Sequence, residues 1–225
     1  MGTQGVVERA DTGVVGSRRS ALSLRRPGAR CLALFALFVL VAWSVELGWW
    51  SHLDQSLTDW AAARRRSPLW DPAKTVFDIA TPEVALPVTL ALGALAARLR
   101  HRWSVVAEAA IRVGLVVASV LVLKPLLAVP GPTRNALGGH GGAFPSGHTT
   151  STLVCVALLL TWLGRPRGAV GRALLTGLLV AVVGTSVIYL HYHYFSDVVG
   201  GVVLGMAIAT MPLPGRLGWA RAQAV

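Results

Sequence analysis

Six apolar runs, about 15 to 25 residues each, carry most of the chain: Cys31 to Trp50, Glu83 to Ala97, Val105 to Val129, Ser146 to Leu163, Val170 to Leu190 and Ser196 to Met211. A helix of roughly 20 apolar residues crosses the hydrocarbon core of a bilayer. In lipid every backbone N–H and C=O must be satisfied within the chain, so runs of this length dictate helices. The expected fold is all-α: a polytopic membrane bundle of about six transmembrane helices. The first run is too long for a signal-peptide core and no small-residue cleavage site ends it, so it reads as a retained span. The second is short for a span and could tilt or thin the bilayer locally. Residues 51–82 are amphipathic, with Trp60, Trp70 and several charges, and read as an extra interfacial helix and loop on the outer side. Residues 1–30 are rich in Arg, Gly and Ser without apolar periodicity and read as a disordered basic cytoplasmic tail. The membrane domain then covers 31–214, and 215–225 form a short cytoplasmic tail.

The formal charge of +11 invites a nucleic-acid reading, but the arginines cluster in the gaps between apolar runs and only 14% of residues are charged. That is the pattern of basic cytoplasmic loops. Placing the N-terminus inside leaves 14 of the 21 basic residues on the cytoplasmic side: Arg9, Arg18, Arg19, Arg25, Arg26, Arg30, Arg98, Arg100, Arg102, Arg165, Arg167, Arg172, Arg216 and Arg221. The expected topology has an even number of spans across the cytoplasmic membrane and both termini inside. Cys31 and Cys155 lie in apolar runs without metal-ligand or disulfide spacing and read as small buried hydrophobes. Glu108 and Arg112, four apart in the third run, read as an intramembrane ion pair.

This topology puts three polar clusters on the outer side. They are Lys124, Pro145-Ser146-Gly147-His148, and His191-Tyr192-His193-Tyr194-Phe195-Ser196-Asp197. Each has a plain reading: a snorkelling lysine, a turn with a helix cap, belt residues with an N-terminal acid. Their arrival together on one face favours chemistry, because ionisable groups at membrane depth are costly. Phosphoryl transfer needs concentrated positive charge and fixed donors around the phosphate oxygens. Lys124 supplies a point charge. Ser146 adds a hydroxyl, Gly147 lets the backbone come close, and the opening helix offers free N–H groups to an anion. His193 and Asp197 are four apart and would share a face if the last helix begins at or before them. Asp197 would then orient one ring nitrogen of His193 and leave the other free to attack phosphorus. His148 would protonate the departing oxygen.

These residues resemble the type 2 phosphatidic acid phosphatase superfamily, which also takes in undecaprenyl-diphosphate phosphatases and vanadium haloperoxidases. Its pattern is Lys-x6-Arg-Pro, Pro-Ser-Gly-His and Ser-Arg-x5-His-x3-Asp. Lys124 and Pro132 match the first motif, Pro145 to His148 the second in full, and Ser186, His193 and Asp197 the third. The resemblance implies a metal-independent hydrolase without cofactor, a phosphohistidine on His193 and acid catalysis by His148. Its substrate would be a lipid phosphate or diphosphate in the bilayer. The positions of both motif arginines hold Gly131 and Val187 instead, which marks a divergent branch. Arg134 could bind phosphate in place of one of them, and His191 or His140 could supply a further donor. A phosphotransferase using the same intermediate and a non-catalytic lipid-binding protein are the alternatives.

Overall fold

The computed structural model describes residues 26–65, 67–101, 103–132, 141–163 and 168–213. The expected tails, apart from residues 26–30, and both Arg134 and His140 lie outside the described residues. Among the described residues every regular element is a helix. These are α1 (Arg26–Glu46), α2 (Ser51–Ala62), α3 (Trp70–Ala80), α4 (Pro82–Arg100), α5 (Ser104–Leu127), α6 (Gly147–Leu163), α7 (Ala169–Tyr189) and α8 (Phe195–Thr210).

Local chemistry sets several boundaries. Gly48, at φ 73°, turns the chain after α1, and the Trp50 indole donates to Ser44 Oγ at 2.7 Å. Pro82 opens α4 at a position where its missing N–H costs nothing. α5 ends in the left-handed Ala128, whose N–H donates to the Lys124 carbonyl. Four helices are long and apolar enough to cross a membrane: α1, α4, α5 and α7. α4 runs 19 residues, so the second run is not the short one. The short apolar helices are α6, with 17 residues, and α8, with 16. The interfacial segment is two helices rather than one. Its turn is pinned to α7 by the Tyr189 hydroxyl, which donates to the Arg64 carbonyl at 2.8 Å.

α8 is the packing centre, with α1 and α6 against it; α6 also packs on α4 and α7. Gly201 and Gly205 give α6 its close approach to α8. A Cβ at Gly201 would stand 2.7 Å from the Ser146 carbonyl oxygen, and one at Gly205 3.1 Å from Leu153 Cβ. The core between α1, α5, α6 and α8 is built on Phe38, Val116, Phe144, Val154, Val203 and Leu204, with Phe38 and Phe144 stacked at 5.8 Å. Arg112 is buried and does more than pair with Glu108. Its Nη1 donates to the Ile208 carbonyl and its Nη2 to the Met211 carbonyl at 3.1 Å. One guanidinium thus binds two carbonyls at the end of α8, that of Ile208, which also accepts the Met211 N–H, and that of Met211 itself.

Candidate active site

The start of α6 is tied to the start of α8. The Ser146 N–H donates to the Asp197 carbonyl at 2.9 Å. Ser146 Oγ in turn accepts from the Thr149 hydroxyl at 3.1 Å, so Ser146 closes the first turn of α6. The N–H groups of Gly147 and His148 lie in that first turn, where a helix provides them no partner. Gly142 lies against the Lys124 carbonyl, so close that a Cβ there would be 2.7 Å from the oxygen. This folds the stretch of chain leading into α6 over the end of α5.

His193 lies outside α8, one residue before its N-cap, Tyr194. The expected shared helix face for His193 and Asp197 is therefore replaced by a capping arrangement. Asp197, in the first turn, turns its carboxylate back toward the N-terminus. Oδ2 accepts the Tyr194 N–H at 2.9 Å and meets His193 Nδ1 at 3.2 Å. The backbone of His193 is held from the other side, its N–H donating to the Val187 carbonyl at 3.3 Å. With Nδ1 engaged, Nε2 is the remaining nitrogen of His193. The rings of His148 and His193 stand edge-on with centroids 6.1 Å apart. His148 Nε2 is buried without a hydrogen-bond partner among the described residues.

Lys124, Gly147, His148 and His193 line one cavity of about 680 Å³, together with Glu83 and Tyr192. Apart from Thr81 at its edge, the rest of its wall is largely apolar, with Leu86, Leu90, Val113, Val117 and Leu121 of α4 and α5. Ser146 and Asp197 are fully buried behind the wall rather than on it. Among the described residues no group of three His, Cys, Asp or Glu side chains gathers to hold a metal.

Val187 has no access to this cavity. It is packed with Ala80, Val183 and Val198 in a dry cluster between α3, α7 and α8. His191, expected as a possible donor, is also absent from the cavity wall. It is buried at φ 61°, beside the Ala61 backbone and Arg65. Burial first, and then the Arg65 charge, push its pKa below the usual histidine range.

Three residues that the motifs do not flag also belong to the surroundings. Phe77 of α3 stacks on His148 at 4.2 Å and on Tyr192 at 4.3 Å. Glu83 faces the cavity from the first turn of α4 and interacts electrostatically with Lys124 and His148. Asp54 of α2 reaches the first turn of α8 through Ser196. None carries a motif signature, and each comes from the segment between the first and second spans or from its edge.

Residues 106–215 match the family model of the PAP2 superfamily. The structure is similar to the crystal structure of a transmembrane PAP2 type phosphatidylglycerolphosphate phosphatase from Bacillus subtilis. The TM-score is 0.70 at 20% identity, over 87% of this chain and 97% of that one. At that identity the likeness is one of fold. No curated protein matches the sequence.

Proposed function

The segment 106–215 belongs to the PAP2 superfamily, and from that premise we propose that the chain is a lipid phosphate or diphosphate phosphatase acting through a phosphohistidine at the extracytoplasmic face. One observation carries the reading: His148 and His193, brought from different helices to ring centroids 6.1 Å apart, share a cavity wall with Lys124. One phosphate group can touch all three. Lys124 and the first-turn N–H groups of α6 hold the phosphate oxygens. Asp197 keeps the proton on His193 Nδ1, and Nε2 attacks phosphorus. The bond to the lipid oxygen breaks as His148 delivers its proton to that oxygen. His148, now neutral, then takes a proton from water. That water oxygen attacks phosphorus, the phosphorus–Nε2 bond breaks, and inorganic phosphate leaves with His193 restored.

The apolar wall between α4 and α5 supports a lipid substrate, with the headgroup at the histidines and the tail along Leu86, Leu90 and Val117. A non-catalytic lipid-binding role has one specific observation behind it, the apolar burial of Val187 where the family pattern has an arginine. The deciding assay is phosphate release from phosphatidylglycerol phosphate, phosphatidic acid and a polyprenyl diphosphate, with and without chelator. Wild-type protein is expected to turn over at least one of them in the presence of chelator. Removing the acid in His148→Ala should cost about 10²–10⁴-fold, and His193→Ala should trap no phosphoenzyme. Undiminished turnover in His193→Ala would remove the mechanism.

A further inference from the structure

Asp54 stands 142 positions from Ser196 in sequence, yet binds it with both carboxylate oxygens. Oδ1 accepts the Ser196 N–H at 3.0 Å and Oδ2 accepts the Ser196 hydroxyl at 2.7 Å. The N–H is one of those a helix start leaves without an internal partner, and it lies at the positive end of the α8 dipole. Asp54 is only 8% exposed. Burial raises its carboxyl pKa, and the Ser196 bonds work against that rise. A charge that is costly to bury sits in α2, outside the three motifs, aimed at the turn that holds Asp197.

We propose that Asp54 is a positioning residue for the His193–Asp197 pair, acting through Ser196; the role in turnover rests on the phosphatase reading above. The geometry leads there directly. Ser196 and Asp197 are neighbours in the first turn of α8, and the direction of the Asp197 carboxylate follows the orientation of that turn. The Ser146 N–H fixes the turn from the α6 side, through the Asp197 carbonyl. Asp54 fixes it from the α2 side. Trp50, just before α2, meets Phe195 with ring centroids 6.0 Å apart, so the same segment grips the turn at two consecutive residues. Without Asp54 the turn loses both of its hydrogen bonds to α2 and keeps there only the Trp50–Phe195 ring contact, and the 3.2 Å contact from Asp197 to His193 Nδ1 loosens.

An ordinary helix cap would contribute to stability alone. The distinguishing readouts are therefore kcat against KM, and the low-field Nδ1 proton resonance of His193, assigned by its loss in His193→Ala. Full-length protein in nanodiscs serves for wild type, Asp54→Ala, Asp54→Asn and Ser196→Ala. Small misplacements at a reacting centre can cost about 10²-fold. Asp54→Ala is therefore expected to lower kcat about 10–100-fold, hold KM within about 3-fold, and broaden the resonance away. Asp54→Asn can still accept from the backbone N–H and donate to the serine oxygen. It is expected to retain the resonance and most of the rate. A folded Asp54→Ala with unchanged kcat and resonance overturns the proposal, whatever its melting temperature. Should Asp54→Ala not fold, Ser196→Ala decides: a weakened resonance supports the proposal and an unchanged one overturns it. If wild-type protein releases phosphate from no lipid while Asp54→Ala still loses the resonance, the positioning role stands and the phosphatase reading falls.

Discussion

His148 is placed by a stack as much as by its own helix. Phe77 lies against its ring, and Tyr192 lies against the other side of Phe77. Aromatic contacts of this kind are worth about 0.5–1.5 kcal/mol beyond buried area. Phe77→Leu keeps most of the volume and removes the flat surface that sets the imidazole plane. The expected result is a kcat reduced about 2–10-fold with little change in KM, read from phosphate release. An unchanged kcat would make Phe77 simple packing. At this scale the six motif residues on or behind the cavity wall, Lys124, Ser146, Gly147, His148, His193 and Asp197, are readable by eye, because short fixed spacings encode them. Phe77 and Asp54 are not. Their partners, His148 and Ser196, lie 71 and 142 positions away in the chain. No local pattern marks which face of an amphipathic segment turns toward a site. Val187 teaches the converse: its side chain joins an apolar cluster while its carbonyl holds the His193 backbone. Losing an arginine from the pattern left that backbone role intact.

The helices that carry the chemistry are short and closely joined. At about 1.5 Å per residue, α6 and α8 span about 25 Å and 24 Å, against a hydrocarbon core of about 30 Å. Their N-termini can both lie below one interface, with the turns at His148 and Asp197 recessed into the cavity. Gly201 makes this possible, since α8 there touches the Ser146 carbonyl. Gly201→Ala forces α8 off α6 and is expected to destabilise by about 1–3 kcal/mol, the usual cost of overpacking. Gly177 on α7 is the matched control, because a methyl group there would meet nothing within 4 Å. Gly177→Ala should be neutral or slightly stabilising, because alanine favours the helix. Thermal unfolding in detergent checks both, and equal melting temperatures for the two variants would contradict the close-packing account. Helix existence was readable from apolar run length. Which run was short was not, because the ends of α4, α6 and α8 are set by Pro82, by the Ser146–Asp197 link and by the Tyr194 cap rather than by hydropathy.

Across the whole molecule the polar helix ends gather at one pole. The Lys124 end of α5, the starts of α4, α6 and α8, and the end of α7 all lie there, roofed by α2 and α3. Arg112 closes the end of α8 toward the opposite pole, near the start of α5. Chain alternation between the poles follows from these contacts. In the proposed topology, 14 of the 21 basic residues lie in cytoplasmic segments. By the bias of Lys and Arg toward cytoplasmic loops, the proposed orientation has the histidines outside. Labelling with a membrane-impermeant maleimide in intact cells tests this, in a background with Cys31 and Cys155 replaced. Leu69→Cys, in the exposed turn between α2 and α3, is expected to react without permeabilisation. His101→Cys, in the turn between α4 and α5, should react only after the membrane is opened. The reverse pattern would set the cavity in the cytoplasm, where a substrate headgroup would have to come from the inner leaflet.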